Sequence, residues 1–575
     1  MRDLSRKNIA LWSITIALGL SIISNIVIIS NYPQPLHIKD PTILVIATAS
    51  GPHTLEIVDV LDTDWRHVSN GVLEQVVETL FSHDLRDPDL PRINLLAESY
   101  YWKNKTTLQI KLREGVIFHD GTPFNASAVK WNLDRLQYLI NATGTNTDEV
   151  AIIRSLWLRP DGKTPIINNT AMVGEYNITV SLNGVYGPFL NLLTYINAGM
   201  LSPTFHKANE RNFIPLSGDI CGTGPFTYDS YTPDVEVVLS RWEGYWSHVA
   251  YFRKLQFKIF DSASKAHAQM LSGQIDLNFI ASYEDILVYE KSEHITVKHY
   301  TDDTGIPAMT YTYLGINNKK YNETWRKIFS CIINYSHIIE ALNQGNAYRA
   351  NSIISPGFGM AYNSTLSSVA SPDGGDLVVA RKIIQSMGFG LELDVHNENA
   401  WRIQADTTPF ETVRYTNKFG YLFNQDLDLF VAFTEWLKSI GCATEEIGDP
   451  PSFLDYFYGY GNISIDKLEL FPDYIKPDYL DPYNIFQKAL HPLSTSNSAQ
   501  VNDTRLNNMM NLALNTTDDT LRDSIYKNIQ GYIATQGYFI VPLFYPKLTF
   551  AHSADLHNFP YNALEKFQAY SIYRA

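Results

Sequence analysis

Cysteine is scarce in this chain. Three cysteines occur among 575 residues (Cys221, Cys331 and Cys442), they lie far apart, and none belongs to a CxxC pair. They therefore allow at most one disulfide and predict no metal site. A lipoprotein type of anchor needs a Cys just after the N-terminal apolar run, and no Cys stands there.

Basic residues are the minority among the charged residues. The chain has 45 Lys and Arg against 60 Asp and Glu, a net charge of −15 at pH 7. A surface of this sign repels phosphate backbones, so we expect no nucleic acid partner.

Motifs of catalysis and cofactor binding are also missing. The sequence has no G-x-S-x-G, H-E-x-x-H or EF-hand pattern, and its 15 histidines show no ligand spacing. Gly222-Thr223-Gly224 lacks the following Gly-Lys-Ser/Thr of a phosphate-binding loop. His119-Asp120-Gly121 could suggest a metal or catalytic site, but we predict a turn there. The sequence therefore predicts a protein that is not an enzyme, with no catalytic residue, no cofactor and no metal.

Length and composition are those of a multidomain globular protein. A chain of 575 residues exceeds one hydrophobic core, so two or three domains are expected. Aromatic residues reach 13%, with 35 Tyr. Tyr combines contact area with a polar tip and suits surfaces that line a ligand, although a Tyr-rich proteome would explain the count equally well.

The N-terminus predicts a membrane location. A basic flank, residues 1–8, precedes the charge-free run Ile9–Ile29, which is long enough to cross the roughly 30 Å hydrocarbon layer. The flank should stay in the cytoplasm, so residues 9–29 form an anchor and 30–41 a stalk outside the cell. Because no A-x-A-like site follows, an uncleaved single-pass anchor is favoured over a cleaved signal. Eleven N-x-S/T sequons support an external glycoprotein.

Strand and helix patterns interleave along the rest of the chain, which indicates an α/β fold. We predict Ser127 as the N-cap of the helix Ala128–Leu139. Predicted strands are Thr42–Thr48, Leu108–Leu112, Ile178–Leu182, Val235–Arg241, Leu255–Phe260, Tyr313–Asn317 and Leu391–His396. Predicted helices are Ala128–Leu139, Ala263–Leu271, Asn322–Leu342, Asp376–Met387, Asp426–Ile440 and Leu521–Thr535.

One segment is specific enough to indicate a family. Leu95–Leu136 contains LAESYYW, LREGVIFHDGTPF and a helix in that order, and resembles the signature of the peptide/nickel-type (family 5) solute-binding proteins of ABC transporters. Four further blocks agree in order: Cys221–Trp246, Lys254–Leu277, Tyr313–Tyr335 and Lys476–Phe486. The chain departs from the pattern at Arg326-Lys327-Ile328 and by an insertion at Trp401–Gln425, which leaves the detailed shape of the pocket open.

The resemblance implies a large two-lobed periplasmic-binding-protein-like fold (type II), here preceded by one N-terminal transmembrane helix. Lobe 1 would comprise residues 42–72, 218–300 and 538–575. An accessory subdomain would span 73–217, and lobe 2 would span 301–537. A ligand would lie between lobes that close around it.

The implied function is capture of a solute outside the cell, most simply a peptide, and its delivery to ABC permease subunits by a monomer. The same fold in relatives holds nickel chelates, haem or oligosaccharides, and a membrane-anchored sensor without transport is a further alternative. In relatives that bind peptides, an aspartate before the Asp-Pro motif pairs with the α-amine, which implies this role for Asp478. Alternatively, Asp478 is an acid of a Pro-rich turn, in which Asp481 caps or rigidifies the chain.

Other ligand contacts are expected on the same resemblance. The Gly-Thr-Gly turn would line the cleft, where glycine lets the backbone approach a ligand closely. A plain structural turn is the other interpretation, and the two do not exclude each other. Gly51 and Pro52, in the turn after the first strand, would lie at the rim of the cleft. Arg402 in lobe 2 could receive a carboxylate of the ligand. These candidates are Gly51, Pro52, Gly222, Thr223, Gly224, Trp401 and Arg402.

Overall fold

The computed structural model divides the chain into two α/β lobes and an antiparallel accessory sheet. The predicted flank and anchor, and the stalk up to residue 39, lie outside the described residues. In the part of the chain that is described, no helix has the length and apolar character needed to span a bilayer. The described residues are 40–58, 68–141, 154, 156–207, 214, 216, 218–367, 375–415, 426–446, 469–494 and 496–575.

The first sheet forms the first lobe and has Ile43–Thr48 near its middle. This strand runs parallel to the strands on either side of it. Leu44 and Ile46 enter one core cluster and Val45 and Ala47 the other, so both faces of the strand are buried, as its continuous apolar run predicts. The seven strands, in spatial order, are Ile295–Lys298, Phe550–Ser553, Leu277–Asn278, Ile43–Thr48, Lys254–Ile259, Glu236–Arg241 and Phe226–Thr232.

The second sheet forms the second lobe and corrects one predicted boundary. Strand Ile540–Pro546 pairs with Tyr311–Ile316 in this sheet, whereas the predicted segment 538–575 assigned it to lobe 1. The return to the first sheet therefore comes after Pro546. The six strands, in spatial order, are Ala347–Arg349, Ile540–Pro546, Tyr311–Ile316, Leu470–Ile475, Thr412–Tyr415 and Ala443–Glu446.

The accessory sheet is antiparallel and packs beneath helix Ala126–Asn141. Its spatial order is Ala97–Asn104, Thr107–Leu112, Asn177–Leu182 and Ile167–Gly174. Two small hairpin sheets complete the strands: Phe81–His83 with Arg92–Asn94, and Leu556–His557 with Tyr573–Arg574.

Helices cover the sheets of both lobes. The described α-helices are Val68–Val76, Ala126–Asn141, Phe189–Leu192, Pro203–His206, Ala263–Leu271, Tyr283–Tyr289, Tyr300–Thr304, Glu323–Cys331, Leu377–Ser386, Glu398–Thr407, Asp426–Lys438, Pro482–Leu490, Thr504–Leu514 and Asp519–Tyr532. The π-helical segments are His337–Leu342 and Ile533–Gly537, and the 3₁₀ segments are Ile196–Ala198, Pro356–Ala361 and Ala569–Ser571. The predicted helix Asn322–Leu342 is thus two segments, the first capped by the Asn322 side chain, which accepts from Trp325 N.

Two neighbouring chain segments connect the lobes. Helix Tyr300–Thr304 precedes the first crossing, and residues 547–549 form the second. Leu548 N donates to Thr301 Oγ1 (2.8 Å), and Ala308 N donates to the carbonyl of Pro546 (3.1 Å). Because both crossings lie side by side and are hydrogen-bonded to each other, a rotation of one lobe against the other would concentrate its backbone changes here.

The three cysteines are buried and free, so the disulfide that the sequence allows is not formed. Burial raises the pKa of Cys331 to about 11 and that of Cys221 to about 12. The thiols of Cys331 and Cys221 are therefore protonated and unreactive near neutral pH.

Each predicted strand except Leu391–His396 is present within two residues of its predicted ends. The exception alternates apolar and polar residues, but side chains of the preceding helix bind its carbonyl groups. Gln385 Nε2 donates to the carbonyls of Gly390 (2.9 Å) and Leu393 (2.7 Å), and Arg381 donates to that of Val395 (2.8 Å). Two carbonyl groups of the segment, those of Leu393 and Val395, thus have acceptor roles outside any sheet.

The cap of helix Ala126–Asn141 differs from the predicted Ser127. Asn125 Oδ1 accepts from the backbone N–H groups of Ser127 (3.0 Å) and Ala128 (3.1 Å). We expect Asn125→Ala to lower the free energy of unfolding by about 1 kcal/mol, since these donors would lose their acceptor. Ser127→Ala is the control and should change it by less than about 0.5 kcal/mol. Urea unfolding of both variants would measure the difference, and equal losses would contradict this assignment.

Candidate ligand cleft

A cleft lies between the first lobe and the segment that follows strand Leu470–Ile475 of the second lobe. It encloses about 630 Å³, including space that opens to solvent. Its first-lobe wall includes the carboxyl end of Ile43–Thr48, the usual position of ligand sites in parallel α/β sheets. We call it the interlobe cleft; its lining includes Thr48, Gly71, Glu74, Tyr195, Phe257, Phe279, Lys476, Asp478, Glu565, Lys566 and Phe567.

The lining combines aromatic rings with charges of both signs. Lys566 Nζ lies 2.6 Å from Glu74 Oε1, and Lys476 Nζ lies 3.7 Å from Glu565 Oε1. The apolar walls offer contact area while the charged groups can fix the orientation of a solute. Such a cleft suits a small molecule that carries both apolar and ionised groups.

Asp478 is the one predicted site residue that lines this cleft. It is 8% exposed, and its carboxylate accepts from Asn484 Nδ2 (3.0 Å). Lys488 Nζ lies 3.1 Å from both carboxylate oxygens. An internal ammonium thus occupies the position that the sequence predicts for the α-amine of a peptide.

Asp481 has the predicted structural role in the same turn. It is the N-cap of helix Pro482–Leu490, where Oδ1 accepts from Tyr483 N (2.9 Å). Tyr526 Oη also donates to Oδ1 (2.6 Å), and Asn191 Nδ2 of the accessory region donates to Oδ2 at 3.4 Å. The turn that carries Asp478 is therefore held rigidly against both the second lobe and the accessory region.

The Gly-Thr-Gly turn lines neither of the two cavities described here. Gly222 and Gly224 pack on the end of helix Val68–Val76. A Cβ at Gly222 would overlap the carbonyl oxygen of Val76, and a Cβ at Gly224 would lie 2.5 Å from that of Gln75. Thr223 is fully buried and donates to Glu78 Oε2 (2.8 Å). Glycine is thus required at both positions by packing between protein segments, as the interpretation as a structural turn predicts. Contact of this turn with a ligand stays a prediction.

The remaining predicted contacts also lie away from the cleft lining. Gly51 packs against the Tyr231 ring, and Pro52 beside it is buried. Trp401 is fully buried in the second-lobe core and donates to the Asp394 carbonyl (3.0 Å). Arg402 pairs with carboxylates of its own and the neighbouring helix at 3.0 and 2.7 Å. The structure therefore places Trp401 and Arg402 in a helix pair. The rest of the insertion includes strand Thr412–Tyr415, and residues 416–425 lie outside the described residues.

A second cavity adjoins the interlobe cleft through Glu74 and Lys566, which line both. It encloses about 1270 Å³, including open solvent. Glu78 lies in its wall and accepts from Thr223 Oγ1, from Tyr245 Oη (2.7 Å) and from Trp246 Nε1 (2.9 Å). Burial raises the pKa of Glu78 to about 7 in spite of these donors.

Sequence reasoning missed three charged residues of the cleft lining, Lys476, Glu565 and Lys566, and the lysine that pairs with Asp478. Lys476 stands two residues before Asp478, so the Lys-Pro-Asp sequence was a usable signal. Lys488 lies ten residues further along the chain, and only the packing of helix Pro482–Leu490 under the turn brings it to Asp478. Glu565 and Lys566 come from the C-terminal segment, and no local pattern points to them.

Comparisons with known proteins agree with this architecture. The family model described as Bacterial extracellular solute-binding proteins, family 5 Middle, matches residues 93–497. The glutathione-binding protein GsiB of Shigella flexneri serotype 5b (strain 8401) is 24% identical over 527 residues, which cover 90% of this chain and 91% of that protein.

Solved structures share the fold over nearly the whole chain. DppA from Helicobacter pylori, an ABC transporter-associated periplasmic binding protein in complex with peptide STSA, has a TM-score of 0.71 at 19% identity and covers 92% of this chain and 98% of its own. The dipeptide binding protein of Pseudoalteromonas sp. SM9913, in complex with Met-Leu, has a TM-score of 0.71 at 18% identity and covers 93% and 100%. The described lobes therefore form the two-lobed α/β periplasmic-binding-protein fold.

Proposed function

The chain belongs to the family 5 bacterial extracellular solute-binding proteins, and we propose that it captures a peptide-like solute between its lobes and delivers it to an ABC permease. Members of this family are solute-binding proteins and not enzymes. The predicted anchor at residues 9–29 would hold the two lobes at the outer face of the membrane, next to the permease.

The interlobe cleft is the observation that carries this proposal. Phe257, Phe279 and Phe567 offer aromatic surface, while lysines and carboxylates lie on the same walls. A peptide presents both kinds of group, apolar side chains and ionised termini, over a short length. Relatives whose names specify glutathione or a dipeptide support this class of solute.

The paired crossings support a closing motion. The first lobe and the accessory region already contact the second lobe, for example through the hydroxyls of Tyr186 and Tyr479, 3.4 Å apart. A solute that contacts both walls of the cleft would favour the closed arrangement over an open one. The permease could then distinguish loaded from empty protein by the position of the lobes.

Native mass spectrometry of the full-length protein in detergent would test the class of solute. We expect bound species whose masses, after release, form a series of short peptides. A metal complex, a haem or a sugar in the cleft would contradict the peptide assignment. Copurification with a signalling protein instead of permease subunits would contradict the transport role.

A further inference from the structure

Lys476 lines the interlobe cleft and has an ion-pair partner but no hydrogen-bond acceptor for its ammonium among the described residues. The residue is 9% exposed, and its nearest carboxylate oxygen, Glu565 Oε1, lies at 3.7 Å, beyond hydrogen-bond distance. Glu565 Oε1 also accepts from Thr310 Oγ1 (3.4 Å). Among the described residues, Lys476 Nζ has no hydrogen-bond acceptor. The carboxylate of Glu565 is thus close enough to offset the charge of Lys476 but not to accept a hydrogen bond from it, and a solute carboxylate could supply the missing acceptor.

The other cleft lysine, Lys566, differs in this respect. Its ammonium lies 2.6 Å from Glu74 Oε1 in a charge-assisted hydrogen bond. An incoming anion would have to displace Glu74 to reach it. Lys476 is therefore the better receptor for a negative group of the solute.

Asp478, in contrast, is already neutralised within the protein. Its two oxygens accept from Asn484 Nδ2 and Lys488 Nζ, and its own N–H donates to Asn484 Oδ1 (2.9 Å). Lys488 also donates to the carbonyl of Lys476 (3.1 Å), and this bond holds the Lys488 ammonium in place. A solute amine at Asp478 would meet the charge of Lys488 at close range, where like charges repel.

We propose that Lys476 receives a carboxylate of the solute and that Asp478 does not bind its amine. This inference rests on the proposed function and narrows the substrate class: solutes with a free carboxylate, for which a free amino terminus is not required. The solute group recognised at this end of the cleft would thus be an anion, whereas the position of Asp478 in the sequence predicts a cation.

Three matched libraries of di- to pentapeptides separate these two modes: one with free termini, one N-acetylated and one C-amidated. Each is equilibrated with the full-length protein in detergent, and retained peptide is counted by native mass spectrometry. We expect the N-acetylated library to be retained within about threefold of the free one. C-amidation should reduce retention by about ten- to one hundred-fold, the effect of one charge-assisted hydrogen bond.

Variants locate the effect at the two residues. Lys476→Met should reduce retention of the free library by the same factor, Lys476→Arg should restore most of it, and the exposed-lysine control Lys105→Met should change nothing. Asp478→Asn, which keeps the bond from Lys488 to the Lys476 carbonyl, should retain the free library within about threefold of the wild type. The thermal midpoint of unfolding of each variant shows whether it is folded. The comparison of the three libraries on the wild-type protein tests the proposal even where a variant does not fold.

The two proposals fail in different ways. Loss of retention on N-acetylation, with C-amidation tolerated, would overturn the assignment to Lys476 and leave peptide capture intact. Failure to retain any library would overturn the proposed peptide function and this inference with it.

Discussion

Replacing Arg135 with Met is expected to lower the free energy of unfolding by about 3–5 kcal/mol. Arg135, on helix Ala126–Asn141, donates to Glu56 Oε1 (2.9 Å) and Oε2 (2.5 Å), and both side chains are at most 2% exposed. Without the guanidinium, the Glu56 carboxylate would stay buried, and among the residues that the structure describes the N–H groups of Val58 and Ile214 would be its remaining donors. Removal of one partner is costly because an uncompensated charge remains in a medium that solvates it poorly.

The double variant Glu56→Gln/Arg135→Met distinguishes this explanation from a loss of packing. It leaves no net charge in the site, so it should recover much of the stability that the single variant loses. Lys111→Met is the surface control, because Lys111 and Glu98 form an ion pair whose side chains are more than 40% exposed, and it should cost less than about 1 kcal/mol. Urea unfolding combined with hydrogen exchange of helix Ala126–Asn141 would measure all three. A loss below about 1 kcal/mol in Arg135→Met would contradict the account.

The sequence predicted the elements of this fold better than their assembly. Thr42–Thr48 was predicted as a strand because a continuous apolar run suits a position buried on both faces, and Ile43–Thr48 has that position. Leu391–His396 has an equally suggestive pattern, but side chains from a neighbouring helix donate to the carbonyl groups of Leu393 and Val395. Tertiary hydrogen bonds of this kind leave no periodic signal in the segment that they control.

The site was less predictable than the fold for a related reason. Asp478 was found because a local motif marks it, and it does line the interlobe cleft. Trp401 was predicted as a contact together with Arg402, but its place in the sequence does not specify which face of a helix meets the core, and Trp401 is fully buried there. Partners that come from distant segments, such as Glu565 for Lys476, depend on how the C-terminal segment returns to the cleft.

Glu78→Gln is expected to stabilise the protein above pH 7 by about 3 kcal/mol and to leave its stability at pH 4 nearly unchanged. Burial raises the pKa of Glu78 from 4.5 to about 7. Below pH 4.5 the carboxyl is protonated in both the folded and unfolded states. Between pH 4.5 and 7 the unfolded state releases this proton while the folded state retains it, so the wild type loses stability as pH rises through this window. Above pH 7 both states are ionised and the loss is complete.

Gln can replace the protonated form because its oxygen can accept from Thr223 Oγ1 and Trp246 Nε1, while its amide donates to a rotated Tyr245 hydroxyl. Other carboxyl groups titrate in the same range; burial raises the pKa of Asp473, for example, to about 6. The informative quantity is therefore the difference in the free energy of unfolding between variant and wild type at each pH. Urea unfolding from pH 4 to 8 would provide it, with Glu114→Gln as the exposed control. A difference that is constant across this range would mean that Glu78 has the same pKa in the folded and unfolded states. The three donors would then offset the effect of burial, and the wall of the second cavity would carry a negative charge at neutral pH.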